Sequence, residues 1–535
     1  MGAPEGGVEH RFERHYGEAV GRAMRRWAAI LIVMLAAVLV SCSAGPSPRP
    51  PIIAANAPSA PAVSSAPTTP VLPPLRAPSP GELQWRDCDG ATLHAIAAQH
   101  LAAVSVRCTQ LVTLLGSPNS PGQGVARTAL LKVGSGPIPL LVLNDTAGEP
   151  GRLYAARLAA TLPASVLHRY SLIGVDRRGT GASQGVNCVP VADRATILGY
   201  PPNSVNTQAL LQAQGDAAQQ CVQQLQPALP AIDTAHAVTD LEVLRQQLGA
   251  ARLDAIGHGD GSRVLADYAT KYPHHTGRFV LDGAPDPTQT LQASTEQQAV
   301  AAEHTFDSYA GSCGAGCALS PDPRKALRGI LAAARARPLP SDSGIRITEG
   351  MLVRAVSIGI ATERSWHALT VALSRAQHGD GSGIAAILAP YLHGSSGAAS
   401  RLDARLVIGC NDTAARPTPK AANAAVGDWR NAAPLFGGSY AHRLLLCNAW
   451  PLPASPLPTP TADGAPPILV ISSADDPVTP QQASQDMARS LRHGVLVNWA
   501  GTGHDALPRS ACVTDAAVDF LVKAKVPTTG TVCPP

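Results

Sequence analysis

Short runs of consecutive apolar residues alternate along the chain with segments in which apolar residues recur at helical spacing. A run such as PLLVLN at 139–144 has the length and composition of a strand buried on both faces. Alternation of such strands with helices predicts a parallel sheet with helices on both faces. The predicted strands are 139–144, 170–176, 253–256, 279–282, 467–472 and 495–499, and the predicted helices are 234–248, 263–271, 481–491 and 514–523.

The alternation stops between residues 290 and 445. This part has mostly helical spacing, and its loops are rich in Pro, Gly and Ser. It predicts a helical cap inserted between two halves of an α/β core, the first at 84–289 and the second at 446–535.

The first 83 residues have the pattern of an export and attachment segment. Arg22, Arg25 and Arg26 precede an apolar run at 27–40, which indicates a signal peptide at 1–41. Translation from Met24 would shorten it to 24–41. The run ends in Leu-Val-Ser-Cys, which resembles a lipobox, so Cys42 is predicted to be lipidated on the outer face of the cell membrane; an ordinary signal peptide with an incidental Cys is the alternative. Residues 42–83, rich in Pro, Ala and Ser, are predicted to be a tether.

Composition and charge agree with an exported globular domain. Hydrophobic residues make up 45% and charged residues 15% of the 535 residues, which excludes a disordered chain. The formal net charge is only +4 and no long basic run follows the signal region, so no nucleic-acid partner is expected.

The cysteines predict disulfide bonds. Without Cys42 ten of the 11 remain, an even number, in a protein predicted to be exported. Neither CxxC pairs nor His clusters occur at zinc spacing, so we expect no metal. Neighbour pairing, which spacing alone does not establish, would join Cys88 to Cys108, Cys188 to Cys221, Cys313 to Cys317, Cys410 to Cys447 and Cys512 to Cys533.

The turn after the strand at 253–256 resembles a nucleophile elbow without its serine. The usual motif is G-x-S-x-G, and this chain has GHGDG at 257–261, with Gly259 at the serine position. Three neighbours are alternatives. Ser262 should lie in the first helical turn. Asp260 would need small residues at 258 and 262, and His258 is not small. His258 itself should point away from the position of attack.

Two later loops contain the expected acid and base. Asp476 follows the strand at 467–472, and His504 follows the strand at 495–499. The order of nucleophile position, acid and base is that of the α/β-hydrolase fold. In an intact triad the acid orients the imidazole, which takes the proton of the serine.

The loop expected to bind the oxyanion is unusual. It follows the strand at 139–144, and the N–H groups near Thr146 and Ala147, together with that of Asp260, are the expected donors. The segment 144–151 has few glycines, one proline and two acids. Carboxylates at this position would oppose a developing negative charge.

These stretches, together with IGVDRRGTGAS at 173–183 and LDGAPDP at 281–287, resemble the tripeptidyl aminopeptidase-like serine hydrolases of actinobacteria. The resemblance covers about 84–535 and implies an α/β-hydrolase fold. It also implies a Ser-Asp-His hydrolase of short peptides or esters that needs no cofactor. Asp476 and His504 match the family's acid and base, whereas Gly259 does not match its nucleophile.

Two hypotheses follow. The protein is a catalytically impaired lipoprotein that keeps a site for a peptide, an ester or a small molecule of the envelope. Alternatively, it is an active peptidase or esterase that uses an unusual nucleophile or an activated water, with His504 and Asp476. A structural envelope protein without any ligand is a third possibility.

Overall fold

A nine-stranded sheet forms the centre of the protein. The computed structural model describes residues 71–97, 105–116, 124–393, 399–452 and 457–535. The strands are β1 (Val106–Leu114), β2 (Val125–Val133), β3 (Ile138–Leu143), β4 (Tyr170–Val175), β5 (Leu253–His258), β6 (Thr276–Asp282), β7 (Ile468–Asp475), β8 (Gly494–Thr502) and β9 (Thr531–Cys533).

The strand order is β1-β2-β4-β3-β5-β6-β7-β8-β9. β2 is antiparallel to both β1 and β4, and every other neighbouring pair is parallel. Every residue of β3, β4, β5 and β6 is buried, because helices cover both faces of the sheet. The predicted α/β-hydrolase fold is confirmed, and each predicted strand and helix ends within three residues of its observed bounds.

The helices divide between the core and the cap. Those packed on the sheet are α1 (Gly90–Ala97), α2 (Gly151–Thr161), α3 (Ala164–Arg169), α6 (Thr234–Gln247), α7 (Asp260–Lys271), α16 (Gln481–Ser490) and α17 (Ala511–Lys523). Those of the cap are α4 (Val191–Gly199), α5 (Gln208–Leu225), α8 (Leu291–Gly311), α9 (Pro323–Ala336), α10 (Glu349–Gly359), α11 (Trp366–Gln377), α12 (Ser382–Leu392), α13 (Arg401–Asp412), α14 (Pro419–Trp429) and α15 (Gly437–Arg443).

The cap contains more of the chain than residues 290–445. Helices α4 and α5 precede the elbow in sequence and were assigned to the first half of the core, but they pack in the hydrophobic cluster of the cap. The apolar stripe of α5, which includes Leu210, Ala217 and Cys221, is buried against the cap. An amphipathic stripe identifies a buried face without naming the partner that covers it.

The folded domain begins within the segment predicted to be a tether. Leu72 is buried, and the backbone carbonyl of Pro73 accepts a hydrogen bond from the guanidinium of Arg278 at 3.0 Å. The N–H of Ser79 donates to the carbonyl of Gly249. The predicted signal peptide, Cys42 and the tether up to residue 70 lie outside the described residues. Within the described ranges, no helix has the length and hydropathy needed to cross a membrane.

All five disulfide bonds expected from neighbour pairing are present. Cys512–Cys533 joins α17 to the edge strand β9, and Cys88–Cys108 joins the segment before α1 to β1. The other three lie in the cap, where Cys188–Cys221 links α5 to the loop before α4.

Candidate functional site

The backbone of the nucleophile elbow is intact at Gly259. Strand β5 ends at His258 and helix α7 begins at Asp260, so a single residue makes the turn between them. Gly259 has φ 55° and ψ −128°, in the region of positive φ that residues with a Cβ rarely adopt. Its N–H donates to the carbonyl of Asp282 at 2.9 Å, which ties the turn to β6. The strained turn that presents a serine in active enzymes is therefore formed here without a side chain.

None of the three neighbours takes the place of the serine. The hydroxyl of Ser262 is buried and donates to the carbonyl of Gly257 at 2.8 Å. The carboxylate of Asp260 pairs with Arg177 and accepts the N–H of Thr146. The ring of His258 packs against that of His504, with 4.3 Å between ring centroids and a 44° angle between planes, so it lies beside the base rather than in a position of attack.

The structure brings together the predicted acid and base. Nδ1 of His504 lies 2.7 Å from Oδ2 of Asp476, and both side chains are buried. Asp476 also accepts the N–H groups of Val478 and Thr479, at 2.8 and 2.9 Å. These bonds orient the acid, and the acid in turn orients the imidazole as in a working triad.

The carboxylate of Asp145 occupies the place of the missing serine side chain. One of its oxygens lies 2.7 Å from Nε2 of His504, the nitrogen that would face a serine hydroxyl. The other accepts the N–H of Asp260 at 2.7 Å. A Cβ built on Gly259 would overlap this carboxylate, whose atoms are the three nearest to it. Asp145 reaches this position from the loop that follows β3.

Asp145 also changes the predicted oxyanion region. The N–H of Asp260, the donor that follows the nucleophile position, is already bonded to Asp145. The N–H of Thr146 is not available as predicted, because it donates to the Asp260 carboxylate at 3.0 Å. Ala147 bonds through its carbonyl, which accepts the hydroxyl of Tyr391 from the cap at 2.9 Å. Two of the three predicted donor groups are therefore engaged by carboxylates of the protein.

His504 is held in its charged form. Burial alone would lower its pKa, but the carboxylates of Asp476 and Asp145 outweigh burial and hold the pKa well above its usual value. Burial would likewise raise the pKa of Asp145, and the charge of His504 more than reverses that effect and lowers it. His504 is thus an imidazolium that lies between the carboxylates of Asp145 and Asp476. An imidazolium has no lone pair with which to accept a proton.

Asp145, His258 and His504 could offer ligands to a metal ion. One donor atom from each lies within 4.8 Å of the others, and two imidazoles with one carboxylate suit divalent transition metals. Nε2 of His504, however, already shares a proton with Asp145. A metal would have to displace that proton, and in the present arrangement the two groups satisfy each other.

Sequence reasoning recognised the acids of the 144–151 loop as unfavourable to an oxyanion but did not connect Asp145 with His504. The two residues are 359 positions apart, and no local pattern joins them. The available signal was the coincidence of a residue without a side chain at 259 and an acid directly after β3. His258 was considered only as a nucleophile, whereas its ring packs between those of Tyr154 and His504.

Comparison with known proteins identifies similar hydrolases. Residues 433–533, which include Asp476 and His504, match the family described as TAP-like protein. Serine protease Hip1 of Mycobacterium tuberculosis is 28% identical over 452 residues, which are 77% of this chain and 84% of that protein. Carboxylesterase B of the same organism is 27% identical over 92% of this chain and 95% of its own length.

A third relative is the tripeptidyl aminopeptidase of Streptomyces lividans, 24% identical over 72% of this chain and 75% of that protein. The matched regions extend well beyond the C-terminal segment and include the α/β core described above. Together with the sheet topology and the elbow, these similarities support a relationship to the TAP-like family, and the fold is that of the α/β-hydrolases.

Proposed function

We propose that this protein is an exported, lipid-anchored relative of peptidases and esterases that has lost serine-hydrolase catalysis and binds a small molecule or peptide between core and cap. The observation that carries the proposal is the position of the Asp145 carboxylate, which bonds both to the base His504 and to the N–H of Asp260. Export and lipidation are supported by the sequence at 22–42.

The nucleophile is absent and its space is filled. Gly259 has no side-chain atom, and Ser262 is buried in a hydrogen bond with the backbone. Loss of the serine alone reduces turnover by about 10⁶-fold in the subtilisin example of a catalytic triad. Here a carboxylate lies where both the serine oxygen and an attacked carbonyl group would have to lie.

The base and the oxyanion donor are disabled by the same side chain. His504 is protonated between Asp145 and Asp476, so it does not act as a general base in this state. The N–H of Asp260 is bonded to a negative charge that belongs to the protein. A tetrahedral oxyanion would have to displace that charge before it gained any stabilisation.

The alternative function is hydrolysis with Asp145 as the nucleophile or with a water activated by His504. In its favour, a carboxylate bonded to a histidine that is itself backed by Asp476 resembles a nucleophile with its base. Against it, the oxygen of Asp145 that faces the elbow takes the Asp260 N–H. One donor cannot hold the nucleophile and the developing oxyanion at the same time.

Four proteins test the proposal: the wild type, His504→Ala, Gly259→Ser, and the double variant Gly259→Ser/Asp145→Gly. Each is assayed with short acyl esters and aminoacyl anilides and is labelled with a fluorophosphonate. We expect label and turnover only in the double variant, because it alone has both a serine and the space for it.

Turnover of the double variant should remain roughly 10²–10³-fold below that of a complete site, since Thr146 does not offer its N–H. Wild-type hydrolysis that disappears in His504→Ala would overturn the proposal and establish the alternative. Labelling of the single Gly259→Ser variant would show that Asp145 moves aside readily.

A further inference from the structure

Three arginines of the cap lie close together. Arg354 on α10 and Arg443 at the end of α15 line a small recess of the cap. Arg405, on α13, is near enough to influence both electrostatically. All three residues are partly buried.

These guanidinium groups lack anionic partners. None of the three forms an ion pair with an Asp or Glu of the described residues, and Nε of Arg443 is buried without a hydrogen bond. Buried Arg178 of the core, by contrast, pairs with Asp240. In the cap itself, Arg194 pairs with Asp403. Buried Arg278 also has no ion pair, but it donates to the backbone carbonyls of Pro73 and Leu521, whereas Nε of Arg443 has no hydrogen-bond partner.

The cluster is electrostatically unfavourable as it stands. Burial, followed by the neighbouring Arg443 and Arg405, lowers the pKa of Arg354 well below its usual value. Burial is also the main reason that the pKa of Arg443 falls to about 10, and Arg405 adds to the effect. The main compensation inside the protein is weak, namely the stacking of the Arg443 guanidinium on the ring of Tyr440 at 3.4 Å from its centroid.

Two structural connections join this cluster to the catalytic residues. Tyr391 on α12 influences Arg354 and Arg443, and its hydroxyl donates to the carbonyl of Ala147, two residues after Asp145. Just beyond the end of α10, which carries Arg354, the carbonyl of Ala361 accepts the N–H of His504 at 2.8 Å. The arginines thus belong to the part of the cap that contacts the catalytic loops.

We propose that Arg354, Arg405 and Arg443 bind the anionic group of the ligand held under the cap, a multiply charged oxyanion such as a polycarboxylate or a phosphate group. This inference rests on the proposed function and specifies its ligand class. Guanidinium groups donate paired hydrogen bonds to the oxygens of carboxylates and phosphates. Three positive charges without a counter-ion would repel an ammonium group, so the end of the ligand that enters this recess is not an amine.

Isothermal titration of the purified full-length protein tests the proposal at pH 7 and constant ionic strength. The probes are inorganic phosphate and citrate, and acetate is the singly charged comparison. The variants are Arg354→Gln and Arg443→Gln. Arg346→Gln is the matched control, because Arg346 is an exposed arginine of the cap outside the cluster. We expect binding of at least one multiply charged probe, tighter than that of acetate.

Each cluster variant should weaken that binding by about 10- to 100-fold, the effect of one charge-assisted hydrogen-bonded pair, while Arg346→Gln leaves it unchanged. Preference for phosphate or for citrate identifies the oxyanion class. Absence of binding by both, or an equal loss in the control, overturns the proposal.

Melting temperatures provide a second measurement. If the arginines had a merely structural role, their substitution would lower the melting temperature. In the absence of anion, Arg354→Gln and Arg443→Gln should melt at the same or a higher temperature, since each removes like-charge repulsion. Lower melting temperatures would mean that the arginines stabilise the cap instead. Neither measurement involves hydrolysis, so a failure of the proposed loss of catalysis would be seen separately.

Discussion

At the scale of single residues, the carboxylate of Asp145 determines the state of the whole site. It bonds to the base and to the backbone donor beside the nucleophile position, each at 2.7 Å. Gly259 makes this possible, because any side chain there would overlap the carboxylate. The loss of the serine and the presence of the acid are thus two parts of one arrangement.

The ion pair predicts a dependence of stability on pH. Asp145 and Asp476 raise the pKa of His504 in the folded protein, whereas in the unfolded chain it is about 6.5. Between these two values the folded state binds more protons, so this contribution is complete below pH 6.5 and is lost as the pH rises through the folded pKa. Asp145→Asn removes one of the two charges responsible, so its melting temperature should fall less steeply above pH 6.5.

Melting curves between pH 5 and 9 measure the effect, with Asp428→Asn as the control, because Asp428 is an exposed acid of the cap. The control should keep the wild-type slope. Equal slopes in all three proteins would contradict the assignment of an imidazolium between two carboxylates.

Single residues also show what the sequence could predict about the site. Asp476 and His504 were found because each follows a recognisable strand, and Gly259 because it interrupts a motif of fixed spacing. The contact of Asp145 with His504 depends on how β3 and β8 lie in the sheet, where β5, β6 and β7 separate them. Local pattern contains no information about that distance.

At the scale of elements, the segment 71–83 is part of the fold although its composition is that of a tether. Leu72 is buried, and Arg278 of β6 donates to the carbonyl of Pro73. A Cβ on Gly81 would overlap the backbone of Gln247 at the end of α6, so this stretch lies tightly against that helix. The proline-rich composition correctly predicted that this segment has no regular secondary structure. It did not predict that the segment packs against the domain.

Removal of this segment should destabilise the domain. We compare proteins that begin at residue 71 and at residue 84. The shorter protein exposes the apolar surface under Leu72 and leaves the Arg278 guanidinium without two of its hydrogen bonds. We expect its free energy of unfolding to be lower by about 2–4 kcal/mol, as for loss of one buried leucine and one charged hydrogen-bond partner. Urea unfolding measures the difference, and identical midpoints would show that the segment is dispensable.

Continuous apolar runs such as β3 were recognised as strands, whereas the antiparallel hairpin of β1 and β2 was missed. β3 is apolar throughout because both of its faces are covered. β1 alternates buried and exposed residues at the edge of the sheet, and its partner β2 has a similar start, so this hairpin gave no comparable signal. The membership of α4 and α5 in the cap was hidden for another reason, since it depends on tertiary packing alone.

At the scale of the whole molecule, the domain is predicted to be held at the outer face of the cell membrane by Cys42. If this cysteine carries the lipid, Cys42→Ser should move the protein from the membrane fraction to the soluble fraction after export, without a change in the melting temperature of the domain. Fractionation with immunodetection measures this, and Cys313→Ser/Cys317→Ser is the control that alters cysteines elsewhere. Retention of Cys42→Ser in the membrane would contradict lipid attachment at this residue.

The link between Asp145 and the elbow has a consequence for any outside competitor. Since the carboxylate is covalently part of the chain, it confronts His504 and the Asp260 N–H at an effective concentration that no free metabolite reaches. A free carboxylate would therefore have to compete with Asp145 for these two groups. Removal of the acid, as in Asp145→Gly, would turn the same position into a vacancy that small carboxylates such as formate or acetate are able to fill.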